Sequence, residues 1–390
     1  MPSRLLLVLL VLGRAAPHRL RLRAIVSYDG RRFHGVQKNI RTQDGTELRT
    51  IMSTLESSLW PALEQRVKFR VASRTDAGVS AVGQVVSFDA QSAGDDELIC
   101  VHGVALHSSE LTVAFNACLP PDLQLREVEI VPRNFDVGGC KWKRYRYRLP
   151  APSPAADDED ALRLYKMVAQ HAARTVASSE AHGSSEGSGT PPSRRRRRRA
   201  AEEAARRGLV DVDAMARAAA ALRGTHDFTA FQARGGDQRG TVRTLFRCTL
   251  EPRRDDTVEH GAAADQPLDL VLEGDGFLYK MVRILAGTLC MVGMGLAPEA
   301  MVPAALHVNE EEAKEEAHAA KASSRRKLPK QQLRQHGRQH GRQVGPTLPP
   351  ERLCLEHIEY ERAHDGAAPL ILHELRADAD TGPTAPQPRA

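Results

Sequence analysis

Apolar and polar residues alternate over Arg19 to Tyr28, with Leu20, Leu22, Ala24, Val26 and Tyr28 on one face and Arg19, Arg21 and Arg23 on the other. A period of two marks a strand with one buried face, so the spacing predicts the first strand here. The same rule predicts strands through Val67, Phe69 and Val71, at Val85-Val86-Ser87-Phe88, over Leu125 to Val131, over Lys141 to Leu149 and over Leu245 to Leu250. It predicts two more through Leu268, Leu270 and Leu272 and over Leu353 to Tyr360. Elsewhere the period lengthens. Leu48, Ile51, Met52, Leu55 and Leu59 predict a helix from Asp44 to Trp60, with Asp44 and Glu47 as its capping pair. Met215, Ala219 and Leu222 predict a helix over Asp211 to Arg223, stopped by Gly224. Phe277, Met281, Ile284 and Leu285 predict another over Phe277 to Leu289, entered through the turn Glu273-Gly274-Asp275-Gly276. Strand, helix and strand at the start of the chain build an α+β unit.

The composition shifts twice between these elements. Ala155 to about Leu209 contains a Ser-, Gly-, Glu- and Pro-rich tract, Ser178 to Pro192, followed by the run Arg194 to Arg199. Asn309 to Gln343 is highly charged and holds the short repeat Gln335-His336-Gly337-Arg338-Gln339-His340-Gly341-Arg342. Both read as disordered insertions, because such tracts bury too little apolar surface to offset the entropy of ordering. The chain accordingly divides into a presequence or disordered tail (1–18), an N-terminal α+β half (19–150), a disordered Arg-rich insertion (151–210), a C-terminal α+β half (211–364, carrying the disordered 309–343) and a tail (365–390). At 390 residues it can build two domains and a sizeable core.

A net charge of +6 suits a polyanionic partner, though the Arg194 to Arg199 run supplies part of the excess. That run reads first as a solvated tract, and otherwise as a nonspecific RNA contact or a nuclear signal. The apolar run Leu5 to Leu12 is too short to span a bilayer. As a presequence it would send the protein to an organelle, plastid or mitochondrion; as a tail it leaves cytoplasm or nucleus, and the sequence keeps these open. Six scattered cysteines without a Cys-x-x-Cys fit buried thiols in a reducing compartment. Cys354 and His357 lack a second pair to complete a zinc site and read as strand residues.

Two stretches carry candidate chemistry. In Arg70-Val71-Ala72-Ser73-Arg74-Thr75-Asp76-Ala77-Gly78-Val79, a loop held between two strands presents Arg74 and Asp76 together, and Gly78 permits the turn. Taken alone these residues read first as a turn with a surface ion pair. In Lys141 to Leu149, Lys143, Tyr145 and Tyr147 share one strand face and Trp142, Arg144, Arg146 and Arg148 the other. Interleaved rings and cations suit RNA, and suit an exposed edge strand blunted by charge equally well.

The string Ser-Arg-Thr-Asp-Ala-Gly-Val-Ser-Ala-Val-Gly-Gln-Val-Val-Ser-Phe, residues 73–88, resembles the active-site segment of the tRNA pseudouridine synthase I (TruA-type) family, with its Arg-Thr-Asp-x-Gly-Val hallmark. Further segments agree: Tyr28-Asp29-Gly30-Arg31-Arg32-Phe33-His34-Gly35-Val36-Gln37, with Val36 where the family has Trp; Leu222 to Phe231; Gly276 to Leu289; and Val344 to Leu355, with Leu348 and Arg352 where the family has Ala and Gly. The resemblance covers roughly 19–150 and 211–360. It implies an α+β fold of two related halves, with mostly antiparallel sheets flanked by helices and joined across a central basic cleft.

The resemblance also implies isomerisation of uridine to pseudouridine in tRNA, at the anticodon stem-loop, by a homodimer that needs no cofactor and no membrane. Asp76 then corresponds to the catalytic aspartate, and Arg74, Tyr145 and Arg283 to substrate-binding residues. Arg74 would fill the gap left by the extruded uridine or hold its phosphate, Tyr145 would lie against the base, and Arg283 would pair with Asp76. Val86, Phe277 and Leu353 are expected as apolar walls. Asp227 is expected to brace a turn and His226 to be structural. The competing readings are a catalytically silent RNA-binding protein on the same scaffold and a basic interaction protein that works through its Arg-rich insertion.

Overall fold

The computed structural model describes residues 18–38, 42–94, 97–152, 158–180, 210–235, 240–253, 266–306 and 344–361. The expectations for the N-terminal segment, the Arg194 to Arg199 run, the 309–343 insertion and the 365–390 tail lie outside the described residues.

Alternation in the sequence becomes one nine-stranded sheet. Its strands are β1 (Arg19–Tyr28), β2 (Arg70–Val71), β3 (Ser80–Gln91), β6 (Leu123–Val131), β7 (Trp142–Leu149), β8 (Gly224–Asp227), β9 (Val242–Pro252), β10 (Leu268–Gly274) and β11 (Leu353–Glu359); β4 (Ile99–Val101) and β5 (Val104–Leu106) form a separate hairpin. The order across the sheet is β6-β1-β3-β11-β7-β10-β9-β8, with β2 paired to β3. Every pairing is antiparallel except that of β11 with β3, where Cys354 lies beside Ser80 and Leu355 beside Ala81. The strands of both halves thus run in a single sheet, and β11 is the seam.

Helices cover the apolar side: α1 (Ile51–Leu63), α2 (Ser108–Asn116), α3 (Glu159–Glu180), α4 (Val212–Ala221), α5 (Met281–Gly293) and the short α6 (Met301–Ala305). All residues of α5 are buried, and α3 and α4 pack against it. None of the helices among the described residues is long and apolar enough to cross a membrane.

Three expectations need correction. The helix expected at Asp44 starts at Ile51, because Thr50 is its N-cap and exchanges hydrogen bonds with Ser53, while Asp44 closes a local turn with Thr46. The helix expected from Phe277 starts at Met281, since Lys280 stands in the left-handed region (φ 59°) and breaks the register before it. The expected disordered insertion 151–210 contains α3, whose Ala161, Leu164, Tyr165, Val168, Ala169 and Ala172 are buried. Arg352 holds the start of this helix through an ion pair with Asp160.

Strand β7 is not an edge strand, and two of its three arginines are taken up by neighbouring carboxylates while Arg148 is exposed. It lies inside the sheet, between β11 and β10. Arg144 pairs with Glu273 at 2.8 Å, and Arg146 pairs with Asp269 at 2.9 Å and Glu356 at 2.5 Å. These cations answer carboxylates of neighbouring strands and so offer no spare charge to a phosphate. Cys354 and His357 are strand residues as expected, His357 being hydrogen-bonded to Glu359 at 2.7 Å.

Candidate active site

Asp76 sits on the loop that joins β2 to β3, and three groups of contacts fix that loop. From below, Gln84 supplies the backbone with a partner on each side. Its amide oxygen accepts from the Ser73 and Val85 N–H groups at 3.2 Å each, and its nitrogen donates to the Ser73 carbonyl at 2.7 Å. Gln84 is wholly buried in a strand of apolar neighbours, where an amide is retained only if its hydrogen bonds are made. Thr75 is buried against Tyr28, hydroxyl to hydroxyl at 2.8 Å, and burial pushes the Tyr28 phenol up to about 12.

From the second side, the segment after β1 lies along the loop. Val36 N–H donates to the Thr75 carbonyl at 3.2 Å and Gly78 N–H to the Phe33 carbonyl at 3.3 Å. The backbone makes these bonds, so Val36 keeps them although its side chain is not the family's indole. Gly78 has φ +84°, and a Cβ there would stand 2.8 Å from Pro350.

The third contact crosses the seam. Arg283 is the one charged residue of α5 and needs a partner in so apolar a setting. Its Nε donates to the Leu348 carbonyl at 2.6 Å and its Nη1 to Asp76 Oδ2 at 3.0 Å. The side chains of Arg283 and Asp76 are 10% and 25% exposed, so the carboxylate lies at the wetter end of the pair. Gly287, one turn further along α5, lets the closing segment approach: a Cβ there would lie 2.2 Å from the Pro346 carbonyl oxygen. Tyr147 completes the clamp by donating to the Pro349 carbonyl at 3.0 Å.

Tyr145 is buried beside this loop, with its hydroxyl 2.9 Å from Ser73 Oγ and its ring edge-on to Phe277 at 5.1 Å. Burial pushes its phenol well above the usual tyrosine range, so it stays neutral. Lys143, on the same strand face, donates to the Ala72 carbonyl at 2.9 Å, and burial pulls its ammonium down. Val86 and Leu353 are buried core residues.

The structure therefore brings Asp76 and Arg283 into contact and sets Tyr145 on Ser73, three residues before Asp76. Arg74 is exposed and makes no ion pair among the described residues, so the partner of Asp76 is Arg283 alone of the two arginines expected beside it. His226 donates through Nε2 to the Arg223 carbonyl at 2.9 Å, and Asp227 accepts from Thr229 N–H at 2.9 Å; both are structural, as expected. Among the described residues no cluster of His, Cys, Asp and Glu is arranged to hold a metal ion. Sequence reasoning missed Gln84, Ser73 and Lys143. For Gln84 the signal was present, as a polar residue within an apolar strand.

Comparison with known proteins identifies the family. A family model described as tRNA pseudouridine synthase matches residues 218–326, the part of the chain that includes α5 and Arg283. The tRNA pseudouridine synthase A of Ruminiclostridium cellulolyticum is 30% identical over 288 residues, which cover 73% of this chain and 88% of that protein. The enzymes of the same name from Acetivibrio thermocellus and Lysinibacillus sphaericus are 30% and 31% identical over 70% of this chain, and cover 84% and 85% of their own lengths. With a buried arginine meeting a loop aspartate across the seam, and relatives aligned over nearly their whole lengths, the chain belongs to the tRNA pseudouridine synthase family.

Proposed function

We propose that the protein isomerises uridine to pseudouridine in tRNA, at the anticodon stem-loop, with Asp76 as the catalytic carboxylate. The observation that carries this is the Arg283–Asp76 contact at 3.0 Å between groups 207 residues apart in sequence. The reaction breaks the bond between uracil N1 and the ribose, turns the base, and joins C5 to the same ribose carbon while C5 loses a proton and N1 takes one up. Substrate and product are isomers, and no redox step occurs. The chain must supply an ionised carboxylate beside the ribose, a place for the extruded nucleotide and walls that keep the freed base from diffusing away.

Asp76 is the carboxylate offered for the first need: Arg283 engages its Oδ2, and a quarter of the side chain stays exposed. The extruded base stacks near Tyr145 and Phe277, whose edge-on contact keeps the tyrosine ring fixed. Tyr145 takes no part as a base, since its phenol stays protonated. Arg74, exposed two residues before Asp76, is suited to a phosphate or to the space the uridine vacates.

The test is Asp76→Asn, which keeps shape and removes charge. Transcribed tRNA should bind the variant as it binds the wild type, while release of the C5 hydrogen should stop. Substantial turnover by the purified variant would refute the role of Asp76.

A further inference from the structure

The segment Glu64-Gln65-Arg66-Val67-Lys68-Phe69-Arg70 enters β2 and alternates strictly. Val67 and Phe69 are buried, whereas Arg66, Lys68 and Arg70 are exposed. Alternate residues of an extended chain lie about 6.6 Å apart on one face, so the three cations form a ladder rather than a cluster. Among the described residues none of the three has an ion-pair partner in contact. Asp89, the carboxylate whose field Arg70 feels, is held by Arg21 at 2.7 Å. Glu56, the acid nearest on α1, is held by Lys38 at 2.7 Å and accepts from Phe69 N–H.

Beside the ladder runs an open groove against α1. Its cations are Lys38, Arg49, Arg66 and Lys68, and its carboxylates Glu47 and Glu56. Trp60 lies at its edge, 46% exposed, with the Arg66 guanidinium 4.7 Å from the ring centroid. The Arg66 guanidinium lies over the indole, and the part of the ring that stays exposed is a stacking surface for a base or ribose beside Lys68. The ladder leads by β2 into the loop that carries Arg74 and Asp76, so one strand of chain links the groove to the site.

We propose that Arg66, Lys68 and Arg70, with Trp60, form a second tRNA contact that takes successive phosphates of one strand outside the target site. The proposal rests on the tRNA reading given above. Two observations favour nucleic acid as the occupant: the charge in excess of local carboxylates and the continuity with the site loop. The ladder's regular spacing lets each cation meet a different phosphate.

The test uses the full-length protein and transcribed tRNA, with the dissociation constant measured across a salt series. The variant Arg66→Gln/Lys68→Gln/Arg70→Gln should bind on the order of 10- to 100-fold more weakly, and its log–log salt slope should be shallower by about 2 to 3, since each phosphate contact contributes about 0.9. The charge-retaining variant Arg66→Lys/Lys68→Arg/Arg70→Lys should restore both, and Trp60→Phe should abolish most of the fluorescence change on binding. A neutral variant with wild-type slope and affinity overturns the ladder, as does a charge-retaining variant that fails to rescue. If the wild type itself neither binds tRNA nor releases the C5 hydrogen, the functional reading fails instead, and the two failures are distinct.

Discussion

Replacing Arg283 probes the pair across the seam most directly. The guanidinium serves two acceptors at once, the Leu348 carbonyl through Nε at 2.6 Å and Asp76 Oδ2 through Nη1 at 3.0 Å. A lysine carries one nitrogen and reaches one of them at a time. Losing a hydrogen bond to a charged group costs about 1.5–3 kcal/mol, and the quarter exposure of Asp76 lets water recover part, so about 1.5–2 kcal/mol is expected for Arg283→Lys. If the reacting state feels the full loss, single-turnover release of tritium from 5-tritiated uridine in tRNA slows by about 10- to 30-fold. Arg283→Met strips both contacts and the charge. Breaking a buried pair costs about 3–5 kcal/mol, and exposure at the Asp76 end places this pair near the lower limit, or about 100-fold in rate. Melting temperatures measured alongside separate a folding defect from a chemical one. A lysine variant within twofold of the wild type, or lysine and methionine variants of equal rate, would refute the reasoning.

Three further outcomes follow from geometry. Gly287→Ala puts a methyl 2.2 Å from the Pro346 carbonyl and must push the closing segment, with the Leu348 carbonyl, off Arg283; a loss of about 1–3 kcal/mol in stability and reduced tritium release are expected, measured by urea unfolding and the same assay. The Arg49 guanidinium beside Asp122 holds that carboxyl below the usual carboxylate range. A folded value below the unfolded one, about 3.9, adds stability that is present above about pH 4 and lost as pH falls through the depressed value. The gap in melting temperature between wild type and Asp122→Asn should therefore be full at neutral pH and close as the pH drops below about 4, whereas a gap that widens on acidification contradicts the pairing. Burial pushes the thiols of Cys248, Cys290 and Cys354 up to about 12, so no more than three of the six cysteines should react with a thiol reagent before the protein unfolds.

Strand β1 was fully legible, because one buried face imposes a period of two and nothing else in the segment competes. Helix starts were less so. Asp44 with Glu47 looks like a cap as much as Thr50 with Ser53 does, and which one works depends on where the helix meets the sheet. Helix α3 had its signal in Ala161, Leu164, Tyr165, Val168 and Ala172, at helical spacing, but the neighbouring low-complexity tract masked it. Strand β7 read as half cation, half ring; that Arg144 and Arg146 face Asp269, Glu273 and Glu356 depends on strands more than a hundred residues away. The same distance separates Asp76 from Arg283. Local pattern offered a loop aspartate and a lone arginine in an apolar helix, and only resemblance to a family joined them.

The position of β11 bears on how this molecule comes off the ribosome. Residues 353–359 fill the gap between β3 and β7, so until they emerge both of those strands present open edges. Synthesis of more than two hundred residues separates the completion of β7 from the arrival of its neighbour. A nascent chain must shield that gap throughout, and pairing so remote in sequence is slow to form. Premature termination between α5 and Leu348 would leave a protein that carries Asp76 and Arg283 but lacks the Leu348 carbonyl that holds the arginine, with one side of β7 unpaired and open to pairing with another chain.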